Sequence, residues 1–156
     1  MVSLPIKKRK KNHFFAQYPD FIHNPLASFS DDFKRLALER NWSYGSKTWK
    51  QKWVLCTKAE YQDLIGTDLT NFEKWQTICF KLDIRGVYSI RQAKKALSQV
   101  HINLIDLLET WDAYRGPKKF SSTRELAHYS VSTSKIYPRE AAKVDPALRV
   151  LLKHLM

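Results

Sequence analysis

SKTWKQKWVLCTKAEYQDLIG, residues 46–66, is the stretch on which the fold turns. Trp49, Trp53, Cys56 and Leu64 recur at helical spacing, and Val54, Tyr61 and Ile65 widen that stripe while the lysines fall between its members. An apolar band of this width is what a helix turns toward a core. Ser46 precedes the first helical residues, and Gly66 is placed to end them. The period therefore predicts a helix from Ser46 to Ile65, with no strand-like alternation inside it.

The same reading extends outward. Ser28 or Ser30 caps a helix running to about Trp42, with Asp31 and Asp32 in its first turn and Phe29, Phe33, Leu36 and Ala37 on one face. Thr70 with Glu73 forms a capping box for a third helix carrying Phe72, Trp75, Cys79 and Leu82, which Gly86 closes. Ser89 with Gln92 opens a fourth, faced by Ala93, Ala96, Leu97 and Val100. At VHIN the period falters. Two β-branched residues and Asn103 predict a break near 101–103 and a fresh helix through Trp111 and Tyr114, stopped by Gly116 and Pro117. One unbroken helix is the alternative. Ser122 with Glu125 begins the next, bearing Leu126 and Tyr129, and Asp145 with Pro146 opens a last one lined by Leu148, Leu151, Leu152 and Leu155.

The expectation is an all-α fold, an irregular orthogonal bundle of six to seven short helices. Before it, FFAQYPDFIHNP at 14–25 is punctuated by Pro19 and Pro25, which hold Tyr18 and Asn24 extended, so an irregular aromatic strap should lie over the helices that follow. Residues 1–12 read as a basic tail and 13–156 as a single helical domain. A chain of 156 residues that is 44% apolar needs no disulfide or metal to fold.

Twenty-seven Lys and Arg against 15 Asp and Glu give +12, and Lys7, Lys8, Arg9, Lys10 and Lys11 supply +5 of it in one run. Such a surplus favours an acidic partner: nucleic acid, an anionic membrane surface, or an acidic protein face. The KKRKK run reads as a nuclear localisation signal or a phosphate-binding arm, or else as a solvated tail. A mitochondrial presequence is the alternative address, though such segments space arginines along an amphipathic helix and here lysines stand side by side. No window approaches the length of a membrane-spanning segment. Cys56 and Cys79, each among apolar neighbours, read as core thiols of a protein in a reducing compartment.

No motif of catalysis is present. The four glycines form no phosphate-cradling loop, and the histidines at 13, 23, 101, 128 and 154 are scattered, with no HExxH and no zinc-finger spacing. Asp106, Glu109 and Asp112 share part of a helix face, which a solvated amphipathic helix explains. The chain reads as non-enzymatic, with no cofactor and no metal.

Candidate binding residues come from charge. Besides the tail, Lys47 and Lys50 lie with Lys58 near one helix face; Arg91, Lys94 and Lys95 occupy another helix; and Arg115, Lys118 and Lys119 surround Gly116. Convergence of two such patches with the tail would neutralise several phosphates without reading bases. The rival is an ordinary solvated surface. For a protein partner the candidates are Phe14, Phe15, Tyr18 and Phe21 of the strap with Trp42 and Trp111, the two tryptophans near helix ends. Trp49, Trp53 and Trp75 fall within apolar stripes and should pack inside.

The blocks FFAQYPDF, WKQKW with AEYQDLIG, WQTIC, VHINLIDLLE and KIYPREAAK, taken in order over residues 13–155, resemble a family of small proteins of filamentous fungi and yeasts. The resemblance implies a fungal source and one helical domain, and it contributes no catalytic or binding residue. The functional expectation is thus a small basic nuclear protein that associates with nucleic acid or chromatin through its tail and helix-face lysines. The alternative is an adaptor subunit that meets an acidic nuclear protein.

Overall fold

The structure, a computed structural model, describes residues 12–66, 68, 70–142 and 149. The expected basic run at 7–11 and the helix expected from Asp145 lie outside the described residues. The chain divides into two compact units, 1–63 and 64–156. Both carry the same charge: the first has twelve cations and six anions, the second fifteen and nine, so each is +6.

The molecule is predominantly helical. In the first unit a 3-10 turn, His13–Gln17, precedes α1, Phe29–Glu39, and α2, Lys47–Leu64. In the second come α3, Phe72–Lys81; α4, Ile90–Leu97; β1, His101–Ile102; α5, Leu104–Glu109; β2, Lys119–Phe120; α6, Thr123–Ser132; and α7, Arg139–Ala142. The strand pair was not expected. It is antiparallel, with His101 opposite Phe120 and Ile102 opposite Lys119, and it fills the place where the helical period breaks. Two residues on each side are too few to leave an alternating pattern in sequence.

Most helix starts follow their predicted caps. The hydroxyls of Ser28, Ser89 and Ser122 accept from the amides of Asp31, Gln92 and Glu125, and the Asn103 side chain accepts from that of Asp106. The third helix departs from expectation by one residue. Its cap is Asn71, whose Oδ1 accepts from the Glu73 amide at 2.9 Å, while Thr70 turns its hydroxyl to Asp68.

Helix ends depart more. α1, α3 and α6 stop at Asn41, Asp83 and Ser134, all non-glycine residues at φ near +56° (57°, 56° and 55°). Each end is closed by the same pair of bonds. The amide of the left-handed residue returns to Leu38, Phe80 or Val131, and the next amide reaches back to Ala37, Cys79 or Ser130. This double closure satisfies carbonyls that a helix end otherwise leaves unpaired. It also turns the chain sharply, delivering Trp42 in the first unit and Lys135 in the second.

The first unit's core is aromatic. Phe33 is fully buried, with ring centroids 5.0 Å from Trp53, 5.4 Å from Trp49, 6.1 Å from Phe14 and 6.2 Å from Trp42. Phe29 stacks on Trp53 at 5.9 Å. Asn12, the last residue of the expected tail, is buried: its Oδ1 accepts from the Phe14 amide and its Nδ2 donates to the Cys56 carbonyl at 3.0 Å. His13 fastens the same turn by its amide and Nδ1, both 2.8 Å from the Asp63 carboxylate.

The second unit packs aliphatic side chains, with Ile78, Leu82, Leu97, Ile102, Leu104, Ile105, Leu107, Leu108 and Leu126 all buried, together with two tryptophans, Trp75 and Trp111. α3 lies against α4, and α6 against both strands. Gly116 approaches the end of α3 so closely that a Cβ there would stand 2.5 Å from the Lys81 carbonyl oxygen. Lys81 in turn donates to the Trp111 carbonyl and lies 5.2 Å from that indole's centroid.

Candidate nucleic-acid interface

The basic side chains of α2 are exposed because the apolar stripe claims the opposite face. Lys47 and Lys50 are exposed, and Lys52 and Lys58 are partly so. Residues 43–59 hold these four lysines and no carboxylate. Among the described residues none of the four enters an ion pair.

Beside them the surface is aromatic. Trp42, brought round by the α1 ending, is partly exposed, with the Lys52 Nζ 5.6 Å from its ring centroid. Trp49, expected inside, is also partly exposed, and Tyr44, 69% exposed, meets it edge to face at 4.7 Å. Tyr18 meets Trp42 at 5.7 Å and carries the Arg40 guanidinium 5.2 Å from its centroid. Arg40 is neutralised where it sits, bonded at 2.7 and 2.8 Å to both oxygens of Asp20. The helical stripe does not reveal the exposure of Trp49, because an apolar period does not rank which of its members are covered.

Of the residues put forward for a protein partner, Phe14, Phe15 and Phe21 are buried, at 2%, 3% and 5% exposure, and they pack their own unit. Phe15 stacks on Phe21 at 5.6 Å, and both rings edge onto His23. Trp111 is buried as well, with the Lys81 ammonium 5.2 Å from its ring centroid. Only Tyr18 and Trp42 of that set reach solvent.

In the second unit Arg91, Lys94 and Lys95 are exposed on α4, with the Lys94 Nζ 5.5 Å from the Trp75 centroid. Arg115 and Lys118 are exposed on the turn leading into β2 and Lys119 is exposed at its first position, and Lys118 lies 5.0 Å from the Phe120 centroid. These two cationic sets sit on different elements, three side chains each.

One polar cluster escaped the sequence reading. Asp106 accepts from the Tyr129 hydroxyl at 2.6 Å and from the Lys135 Nζ at 2.6 Å, and Glu109 accepts from the same ammonium at 3.3 Å. Asn103 Nδ2 ties it to the end of α6 through Ser130 Oγ and the Lys135 carbonyl, at 3.0 and 2.8 Å. Asp112, expected on the same face, is exposed and apart. Partial burial disfavours the Lys135 ammonium, but the Asp106 hydrogen bond and the two carboxylate charges outweigh it and raise its pKa. Burial and the hydrogen bond to Asp106 push the Tyr129 hydroxyl up too. Every polar atom named here has a partner within the cluster, so its role is to clamp α5 to the end of α6.

Cys56 and Cys79 are both free thiols and buried. Burial, followed by the nearby charges of Glu60 and Asp32, pushes the Cys56 thiol up, which makes it a poor nucleophile. Among the described residues no group of three His, Cys, Asp or Glu side chains could hold a metal ion, and no helix is long and apolar enough to cross a membrane. Comparison with family models, with curated proteins and with solved structures found no match.

Proposed function

We propose that this is a small, non-enzymatic nuclear protein that associates with nucleic acid or chromatin by its phosphates. The observation that carries the reading is the stretch 43–59, with four lysines that have no carboxylate among them and no ion pair among the described residues. Unpaired, solvated ammonium groups are the ones free to displace counterions from a phosphate backbone. The exposed cations of α4 and of the 115–119 segment give the second unit a positive field of its own, and the KKRKK run serves as the address or as a further arm.

Titrating the full chain with labelled DNA and RNA between 50 and 200 mM salt tests this, since binding through several phosphates weakens steeply over that interval. Absence of binding at the lowest salt, or binding indifferent to salt, rejects it. A second reading, an adaptor within a nuclear complex, is favoured by Ile22, Leu26 and Leu38, which are 81%, 91% and 79% exposed in the first unit. Affinity purification that returns one stoichiometric protein after nuclease treatment would favour it over the first.

A further inference from the structure

We propose that the partly exposed aromatic side chains of the first unit form a stacking site for unpaired bases, and that the α2 lysines hold the phosphates of the same strand. This rests on the nucleic-acid reading above and narrows it to single-stranded substrates.

The rings make a connected row. Tyr44 touches Trp49, Trp49 and Trp42 flank the buried ring of Phe33 at 5.4 and 6.2 Å, and Trp42 touches Tyr18. Phe33 supplies the floor, fully buried, and the four outer rings all reach solvent. Scattered surface aromatics are ordinary, but a contiguous row over an aromatic floor is a preformed platform whose rings need little ordering before they bind.

The cations beside the row differ in whether they are paired. At the Tyr18 end Arg40 is held by Asp20, so that end is neutral. Next to it the Lys52 ammonium, free of any carboxylate among the described residues, stands 5.6 Å from the Trp42 centroid, and Lys47 and Lys50 are exposed on the same helix, which also carries Trp49. Ring and ammonium side by side match a nucleotide, whose base offers a π-face and whose phosphate offers the anion. A duplex gives the lysines their phosphates but keeps its base faces in the stack, out of reach of the rings. Only an unpaired strand uses both halves of the site.

The test uses the full chain and labelled 15-mers of deoxythymidine and of uridine, with a 15-base-pair DNA duplex as reference, read by fluorescence anisotropy across salt. Tyr44→Ala, at a position 69% exposed, is expected to lower affinity for one or both single strands about tenfold, to leave the duplex unchanged and to keep the thermal melt. Tyr44→Phe should restore the affinity. The pair Lys50→Ala with Lys52→Ala should reduce the salt slope for the single strand by about 1.4, two phosphates' worth. A Tyr44 effect confined to one 15-mer assigns the site to that kind of strand, DNA or RNA. Equal affinity for strand and duplex, or a Tyr44→Ala effect of the same size on both, overturns the stacking site and leaves the phosphate-binding function standing. Failure of every oligonucleotide to bind overturns both.

Discussion

The two units carry equal charge yet solve their interiors by different chemistry. The first sets ten aromatic residues, from Phe14 to Trp53 and including three of the chain's five tryptophans, ring against ring. The second buries branched aliphatics and relies on a charged clamp, Asp106, Glu109, Tyr129 and Lys135, to hold its later helices. A ring has two faces and an edge, so a core of rings is easily continued outward until some of them meet solvent. A clamp of paired charges is satisfied inwardly and offers nothing to a ligand. That difference is why the first unit is where a binding surface should be sought.

The comparison can be broken by substitution. Phe33→Ala removes the ring on which Phe14, Trp42, Trp49 and Trp53 all rest, and should cost about 4 kcal/mol, seen as a lower urea midpoint by tryptophan fluorescence. A loss below about 1 kcal/mol would mean that the aromatic network repacks and is no rigid floor. Lys135→Met, by contrast, leaves Asp106 and Glu109 without their cation and should cost about 2 kcal/mol near neutral pH.

That second variant also has a pH signature. The raised pKa values of Lys135 and Tyr129 mean that the folded state holds these protons more tightly than the unfolded chain. Their contribution is complete below the unfolded values, near pH 10, and is lost as pH climbs through the higher folded ones. Wild type should therefore lose stability steeply above about pH 10, and Lys135→Met should lose less over the same interval. Parallel alkaline curves would show that the clamp is not the group titrating.

The smallest effect tests what the units share. Asn41→Gly and Ser134→Gly relieve a left-handed residue of its Cβ at equivalent helix ends, and each should raise stability by about 0.5 kcal/mol, measured by thermal melts. A gain in one and a loss in the other would show that the two endings are not energetically alike.

Much of this was legible in the chain. Caps such as Ser28, Ser89, Asn103 and Ser122 are local devices, written within four residues, and they mark their helices correctly. Helix ends are harder to read: Asp83 closes the helix for which Gly86 is the sequence signal, and Asn41 and Ser134 close α1 and α6 with no glycine to mark them. The clamp joins residues 29 apart, Asp106 and Lys135, and no spacing rule links them. Of the candidate surface, Lys47, Lys50 and Lys58 could be read from charge alone, whereas Lys52 is picked out only by its place on the Trp42 ring. The exposure of Trp49 and the burial of Phe14, Phe15, Phe21 and Trp111 are decided by packing, which an apolar pattern does not rank.

The attachment at Asn12 and His13 bears on how the amino-terminal cations can be studied. A deletion that stops after Lys11 removes the KKRKK run and leaves Asn12 and His13 in place. One extended by two residues also strips the cap of the first turn and both of its fastenings to α2, at Cys56 and Asp63. Mislocalisation of the longer deletion would then report a loosened strap as readily as a missing import address, and only the shorter one separates them.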